Sequence, residues 1–183
     1  MQQTTFQVDN KPKTETAVLV GLVTQDQTEE LMHEYLDELA FLAMTAGAKT
    51  VKKFYQKIQH PDPRTYVGKG KLEEIKTYVD EKEIDIIIFD DEISPSQQRN
   101  IEKFMECKVL DRSMLILDIF AQRARTVQAR TQVELAQMQY MLPRLKGLWS
   151  HLDRIKGGIG MRGAGEKEIE TDRRIAQKKI ALL

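Results

Sequence analysis

The sequence predicts an α/β fold with a small, mostly parallel sheet and flanking helices, followed by a long antiparallel α-helical hairpin. In the first part of the chain, short apolar segments rich in β-branched residues alternate with segments of helical periodicity. The connections between them are short, which favours right-handed crossovers and parallel strands. After Ser113 no strand pattern remains, and apolar residues recur every three or four positions. We therefore expect a flexible N-terminus (1–14), an α/β subdomain (15–120) and a helical hairpin subdomain (121–183).

Local signals mark the elements of the α/β subdomain. Thr28 is a favourable N-cap before two glutamates, Gly47 suits a helix end, and Pro95 suits the first turn of a helix. In the first helix, the residues that recur at helical spacing are Leu31, Tyr35, Leu39 and Leu42. The predicted elements, in chain order, are a buried strand at 17–23, a helix from Thr28 towards Gly47, an exposed strand at 49–58, a helix over 70–82, a strand at 84–89, a helix from Pro95 and a short strand at 109–110.

The hairpin is predicted from two apolar series. The first predicts a helix about 40 Å long at 1.5 Å per residue, in which Pro143 should cause a kink or a break because proline lacks an amide donor. Its members are Ala124, Val127, Thr131, Glu134, Met138, Met141, Leu145, Leu148 and Leu152, with polar interruptions at Thr131 and Glu134. The second series consists of Ile169, Ala176, Ile180 and Leu183. Two such helices would form an arm that extends from the α/β subdomain.

A glycine-rich loop lies between the two series, and the arm that carries it is basic. Residues 157–165 contain five glycines, more than a helical turn requires. The chain as a whole is neutral, but residues 1–120 hold 15 Lys and Arg against 22 Asp and Glu, a balance of −7. Residues 121–183 hold 13 against 6, a balance of +7. Such an asymmetry favours an anionic partner such as nucleic acid for the arm.

Glycine lets the backbone approach a surface closely, and guanidinium and ammonium groups neutralise phosphates. We therefore expect the arm and its tip to bind RNA, although about half of the arginines should instead pair with carboxylates inside the hairpin. The candidate RNA contacts are Arg144, Lys146, Arg154, Lys156, Gly157, Gly158, Gly160, Arg162, Gly163, Gly165, Arg173 and Arg174.

Two weaker candidate sites lie in the α/β subdomain. Gly68, Gly70 and Lys71 could present helix N-terminal amides to an anion, but a cap and turn would use the same residues. Asp90 and Asp91 follow the strongest strand and could hold Mg²⁺, whereas a polar strand end explains them equally well. The sequence contains no GxxxxGK[ST] phosphate loop and no complete active site.

The sequence shows no pattern typical of a membrane protein, a secreted protein or a protein with a His/Cys metal site. The sequence lacks an apolar run long enough to span a membrane and a signal-peptide core, so we expect a cytoplasmic protein. Its one cysteine, Cys107, has no metal-ligand companions, and no metal site of the His/Cys type is expected.

Several motifs resemble the N-terminal region of the HflX family of ribosome-associated GTPases. They occur in family order and cover residues 15–183. In the loop, Ala164 stands where the family pattern has a proline, so the tip should be less rigid. The motifs are Tyr66-Val67-Gly68-Lys69-Gly70-Lys71, the segment from Asp90 to Asn100, Val109-Leu110-Asp111-Arg112, the segment from Leu117 to Ala124, the segment from Gln132 to Ala136, Leu142-Pro143-Arg144-Leu145 and the glycine-rich loop with its Thr171-Asp172-Arg173-Arg174 tail.

The resemblance implies a partner and a mode of action. In this family the arm reaches the RNA of the large ribosomal subunit, and the proteins take part in splitting or rescuing ribosomes. A GTP-binding domain that uses GTP and Mg²⁺ follows this region. We therefore expect the 183 residues to be a fragment that ends before that domain. The fragment should need no cofactor, hydrolyse no GTP, behave as a monomer and contact its own GTP-binding domain.

Two other hypotheses remain open from the residues alone. The α/β subdomain could be a self-contained nucleotide or Mg²⁺ site that uses Asp90, Asp91 and the turn at 68–71. Alternatively, the apolar stripe of the hairpin could pair with another chain as a coiled-coil interaction module.

Overall fold

The computed structural model describes residues 14–25 and 27–144. Within these residues the chain alternates strands and helices and then continues as helix alone. In chain order the elements are β1 (Thr16–Val23), α1 (Glu29–Thr45), β2 (Lys49–Lys57), α2 (Lys69–Lys82), β3 (Ile86–Phe89), α3 (Pro95–Met105), β4 (Lys108–Asp111), α4 (Arg112–Arg123) and α5 (Val127–Met141).

The four strands form one sheet in the order β2-β1-β3-β4, and every pairing is parallel. Helices cover both faces, as parallel sheets require. One core contains residues of α2 and α3, such as Ile75 and Ile101, while the other contains residues of α1 and α4, such as Leu36 and Leu115. The predicted α/β class and parallel sheet are therefore confirmed.

The first helix begins where the sequence predicts but buries a different stripe. The Thr28 hydroxyl accepts a hydrogen bond from the amide of Leu31 at 3.2 Å, and Gly47 follows the helix with φ +97°, a conformation that favours glycine. The buried residues of α1 are Met32, Leu36, Leu39 and Ala43. Of the four residues at the predicted spacing, only Leu39 is fully buried, because the buried stripe lies one position further along the chain.

The other helices of the sheet are fixed by their first turns. Ser94 and Gln97 form a reciprocal capping box at the start of α3, with Pro95 in its first turn. Asp111 ends β4 and also caps α4, since its Oδ1 accepts a hydrogen bond from the amide of Met114 at 2.9 Å. No separate helix is predicted for α4, and the predicted subdomain boundary at residues 120 and 121 falls inside this helix.

Helix α5 is the described part of the long helix that the sequence predicts. A new N-cap at Thr126 separates α4 from α5, since its side chain accepts a hydrogen bond from the amide of Ala129. Helix α5 then ends at Met141, two residues before Pro143. Its 15 residues span about 22 Å, and its end just before Pro143 agrees with the predicted break. The part of the predicted long helix beyond residue 144 lies outside the described residues. The second helix of the predicted hairpin lies outside the described residues. None of the described helices is long and apolar enough to cross a membrane.

Candidate functional site

The carboxyl edge of the sheet is where open parallel sheets place ligands, above all at the point where the strand order reverses. Here that point lies between β1 and β3. The chain places β2 on one side of β1 and then crosses to place β3 on the other side. Asp90 directly follows β3 at this edge and is 5% exposed. The partners of Asp90 therefore decide whether the crevice is open to a ligand.

Arg112 neutralises Asp90. Its Nη2 donates to Asp90 Oδ1 at 2.6 Å and to the carbonyl oxygen of Tyr35 at 3.3 Å, and its Nη1 lies 3.2 Å from a carboxylate oxygen of Glu38. Burial raises the pKa of Asp90, while the hydrogen bond from Arg112 opposes this effect. The crevice thus contains a closed ion pair, and Asp90 is not free to bind a cation.

Asp91, the second predicted metal ligand, is also engaged. It accepts a hydrogen bond from the hydroxyl of Tyr66, whose ring packs edge-on against Phe89 with 5.2 Å between centroids. Tyr66 has φ +64°, a conformation that side chains rarely adopt. Among residues 14–25 and 27–144, no group of three or more His, Cys, Asp or Glu side chains could hold a metal ion. The geometry does not support the predicted Mg²⁺ site at Asp90 and Asp91.

The turn at 68–71 serves mainly as the entry to α2. The Gly68 amide donates to Gln56 Oε1 at 2.8 Å, and Lys71 Nζ lies 2.6 Å from a carboxylate oxygen of Glu74. Gly70 lies within the first turn of the helix rather than before it. No side chain caps this N-terminus, so the turn matches the cap-and-turn alternative more closely than a phosphate loop.

A second buried network lies at the end of β4 and joins the sheet to α5. The side chain of Asp111 has no exposed surface. Its Oδ2 accepts hydrogen bonds from the amide of Ile93, at 3.2 Å, and from the hydroxyl of Tyr140. Burial and the hydrogen bond to Asp111 raise the pKa of Tyr140, so its hydroxyl stays protonated as the donor. One carboxylate thus holds β4, the start of α4, the β3–α3 loop and α5 together.

Arg144 completes this network from the end of α5. Its Nη2 donates to the carbonyl oxygen of Ile93 at 2.8 Å and lies 3.7 Å from Asp111 Oδ2. Its Nε donates to Gln98 Oε1 at 3.1 Å, and its guanidinium carbon lies 3.6 Å from the centroid of the Tyr140 ring. We refer to Ile93, Gln98, Asp111, Tyr140 and Arg144 as the joint.

Arg144, one of the predicted RNA contacts, is instead part of the joint. Arg144 was expected to meet phosphate, but it is 5% exposed and its donors are engaged within the protein. A buried arginine of this kind positions the chain, and a phosphate could reach it only by displacing these partners. Arg144 therefore fits the half of the arginines that were expected to be structural.

A cavity of about 240 Å³ adjoins the joint between α3, β4, α4 and α5. Val109, Met114 and Met141 line it together with the carboxylate of Asp118. The Asp118 carboxylate accepts a hydrogen bond from Gln137 at 3.2 Å, and burial raises its pKa. The cavity therefore lies between the same elements that the joint connects.

The remaining predicted RNA contacts lie outside the described residues, so the structure does not place them. They are Lys146, Arg154, Lys156, Gly157, Gly158, Gly160, Arg162, Gly163, Gly165, Arg173 and Arg174.

Comparison with known proteins identifies the family. The family model described as GTP-binding GTPase N-terminal matches residues 33–121, and the one described as GTP-binding GTPase Middle Region matches residues 123–183. The chain is 63% identical over 169 residues to the GTPase HflX of Flavobacterium psychrophilum, which covers 92% of this chain and 41% of that protein. The chain belongs to the HflX family of GTPases. The motif resemblance found in the sequence is thus confirmed.

Other relatives agree with this assignment. The GTPase HflX of Escherichia coli K12 is 44% identical over 167 residues, which are 91% of this chain and 38% of that protein. A GTP-binding protein from the archaeon Sulfolobus solfataricus in complex with GDP is 27% identical with a TM-score of 0.55, over 88% of this chain and 46% of that one. A complex of the protein SsGBP with GDP is 26% identical with a TM-score of 0.58, over 90% of this chain and 46% of that one. The chain spans about two fifths of the length of these HflX relatives.

The structure also brings together residues that sequence reasoning did not assign. Asp111, Arg112, Tyr140 and Gln98 were not predicted as functional, although the first two and Gln98 lie in the family motifs. An aspartate that directly follows a strand and precedes a helical pattern is the usual signal for an N-cap. That signal could have identified Asp111, but not its contacts with α5.

Proposed function

We propose that this chain is the ribosome-binding region of an HflX-type GTPase and that residues 121–183 contact the RNA of the large ribosomal subunit. The observation that carries the proposal is the separation of charge. Residues 1–120 have a balance of −7 and residues 121–183 a balance of +7. A neutral chain gains little from nonspecific attraction to RNA, whereas a basic arm on an acidic body meets RNA in one orientation.

The chemistry of the loop supports a role at the tip of the arm. Arg154, Lys156 and Arg162 flank or lie within a segment with five glycines in nine residues. Cations supply affinity to phosphates, and glycines let the backbone follow an irregular RNA surface. Folded RNA is recognised largely by its shape and backbone, which suits a positioned arm with a conformable end.

The joint supports the idea of a positioned arm. Asp111 and Arg144 are buried, and together they connect α5 with β4 and with the loop before α3. A buried charged network of this kind fixes one arrangement, because moving either partner leaves an unpaired charge inside the protein. The first helix of the arm therefore has a defined direction relative to the sheet.

The wider activity follows from family membership and is part of the same proposal. A GTP-binding domain, with GTP and Mg²⁺, would follow this region and couple hydrolysis to ribosome splitting or rescue in the cytoplasm. This region would act as a monomer that contacts the large subunit and its own GTP-binding domain. The relatives' names support GTP binding in the intact protein, and the joint supports the placement of the arm.

Binding of the 183-residue chain to purified large ribosomal subunits tests the proposal. We would measure affinity by sedimentation across a salt series for the wild type and for Arg154→Ala/Lys156→Ala/Arg162→Ala, the tip triple. If three phosphate contacts are lost, the slope of log affinity against log salt should fall by roughly 2 to 3. Affinity near physiological salt should fall by at least about tenfold.

The matched control removes three exposed cations from the body, Lys49→Ala/Lys52→Ala/Lys82→Ala, which we call the body triple. It should bind large subunits like the wild type. Equal binding by the wild type and the tip triple at every salt concentration would contradict the proposal. An equal loss in both triples would reduce the effect to net charge alone and would contradict it as well.

A further inference from the structure

We propose that the body carries a second RNA contact, which takes a single-stranded segment with phosphates on Arg64, Lys69 and Lys103 and a base on Phe104. This inference rests on the proposed function for the source of the RNA, the large ribosomal subunit. It concerns a different surface, because the arm joins the sheet through the end of β4, whereas this contact lies beside α2 and the outer face of α3.

The site is a groove between the 62–65 loop, the start of α2 and α3. Its volume is about 520 Å³, and its lining includes Arg64, Lys69, Lys103 and Phe104. Arg64 and Lys103 are exposed and form no salt bridge within residues 14–25 and 27–144. The Lys69 side chain is 89% exposed, and its Nζ is 3.8 Å from a carboxylate oxygen of Glu73. Such a distant exposed pair leaves the ammonium available to a phosphate.

The acidic residue in the groove lining is directed into the loop. Asp62 Oδ1 accepts hydrogen bonds from the amides of Arg64 and Thr65 at 2.8 and 2.9 Å. The first of these bonds is the main reason why the pKa of Asp62 is lowered. Three cations therefore face Asp62, whose carboxylate is satisfied by backbone donors, and Glu73. The groove remains positive although residues 1–120 carry a net charge of −7.

The walls of the groove are held in place before any ligand arrives. Gln97 Nε2 donates to the carbonyl oxygen of Asp62 at 2.7 Å, and Asn100 Nδ2 donates to the carbonyl oxygen of Arg64 at 2.9 Å. These two residues of α3 clamp the loop that carries Arg64. A site whose walls need not be ordered on binding loses less conformational entropy.

Phe104 indicates which anionic ligand the groove takes. It lies in α3 between cationic Lys103 and buried Met105, yet the residue is 41% exposed. Its neighbours Ile101 and Met105 fill the core, so Phe104 is not needed there. Aromatic faces beside cations are how proteins bind single-stranded nucleic acid, with bases stacked on the ring and phosphates on the cations. An acidic peptide would use the cations but would gain little from the ring.

Fluorescence anisotropy with a labelled oligouridine of about 12 nucleotides tests the groove. To reduce the contribution of the arm, the assay uses the full chain carrying the tip triple. In that background, Arg64→Ala/Lys69→Ala/Lys103→Ala should lower the salt slope by about 2, since each phosphate on a single strand contributes about 0.7. Near 0.1 M salt this change corresponds to about a 100-fold loss of affinity. The body triple is the matched control and should bind like its parent.

Phe104 has its own pair of variants. Phe104→Leu keeps an apolar side chain without an aromatic face and should weaken oligouridine binding by about 5- to 150-fold. Phe104→Tyr keeps the face and should bind like the parent. Circular dichroism checks that every variant is folded.

Three results would overturn the proposal. One is equal oligouridine binding with and without the three groove cations. Another is equal binding by Phe104→Leu and Phe104→Tyr. The third is tighter binding of a polyglutamate peptide than of oligouridine, which would assign the groove to an acidic protein segment. A failure of the tip triple to affect large-subunit binding would contradict the proposed function alone, because the oligouridine assay does not depend on the tip.

Discussion

Asp111→Ala should be among the most destabilising single substitutions in the described part of the chain. The carboxylate caps α4, accepts hydrogen bonds from Ile93 and Tyr140, and lies 3.7 Å from the buried guanidinium of Arg144. Loss of an N-cap costs about 1 kcal/mol, and removing one partner of a buried ion pair costs about 3–5 kcal/mol. These contributions share partners and do not add. We therefore expect a loss of about 3–5 kcal/mol in the free energy of unfolding.

Urea unfolding monitored by circular dichroism measures this loss. With a slope of about 2 kcal/mol per M, the midpoint should fall by about 2 M. Asp37→Ala is the control, since Asp37 forms a salt bridge with Lys53 but is 71% exposed. Removing such a surface pair should cost less than about 1 kcal/mol.

Tyr140→Phe separates the attachment of α5 from the cap of α4. It removes only the hydroxyl that donates to Asp111, and a hydrogen bond to a charged group contributes about 1.5–3 kcal/mol. Hydrogen exchange should quicken in α5 more than in β1 or β3, because this contact attaches α5 to the end of β4 and leaves the pairing of the strands unchanged. If Asp111→Ala lowers the free energy of unfolding no more than Asp37→Ala does, Asp111 does not hold these elements together. Unchanged hydrogen exchange in α5 of Tyr140→Phe would contradict the role of the Tyr140 hydroxyl.

Three further predictions concern other sites. Burial raises the pKa of Asp118 above its usual 3.8, so the ionised carboxylate lowers stability at neutral pH. Asp118→Asn should therefore raise the free energy of unfolding at neutral pH, and this gain should vanish below the pKa that Asp118 has in the unfolded chain. Urea unfolding measured across pH would contradict this if the gain were the same at every pH. Burial raises the pKa of Cys107 to about 11 from 9.0, so iodoacetamide should react about 100-fold more slowly with the folded chain than with the unfolded one, and equal rates would contradict the burial. The Cβ atom of Gly70→Ala meets open space within a helix, so this change should raise the free energy of unfolding by about 0.5–1 kcal/mol. Gly47→Ala at φ +97° should lower it by about 1–2 kcal/mol. Thermal unfolding would contradict these predictions if Gly70→Ala lowered the melting temperature or Gly47→Ala raised it.

The two central strands of the sheet were predictable because each can be recognised from its own residues alone. Fully buried parallel strands are continuous apolar runs, and β1 and β3 match that pattern. The helix starts at Thr28 and Pro95 were predictable for a similar reason, since an N-cap or a first-turn proline acts within the first turn of its own helix.

The buried stripe of α1 could not be read in the same way. Apolar residues occur at Leu31 and Met32 and again at Tyr35 and Leu36, so two neighbouring stripes fit the helical period. Contact with β1 decides between them. A Cβ atom at Gly21 would lie 2.4 Å from the sulfur of Met32, so the glycine in this strand makes room for Met32.

The joint could not be predicted from the sequence because its partners are far apart in the chain. Arg144 and Gln98 are separated by 46 positions, and Arg144 and Ile93 by 51. A count of charges shows that Arg144 is basic but not that its guanidinium turns inward. Likewise, Asp90 is a residue type that binds metal ions and follows a buried strand, but only the fold shows that Arg112 neutralises it.

Directed hydroxyl-radical probing would test directly whether the tip of the basic arm contacts the RNA of the large ribosomal subunit, as we propose. An iron chelate would be tethered to Met161→Cys at the tip or to Glu34→Cys in α1, each with Cys107→Ser to remove the natural thiol. Glu34 is exposed on the face of the sheet opposite α2 and α3. We predict localised cleavage of large-subunit RNA from position 161 and none from position 34. Cleavage from position 34 alone, or no cleavage from 161 above that of untethered reagent, would show that the tip does not contact this RNA.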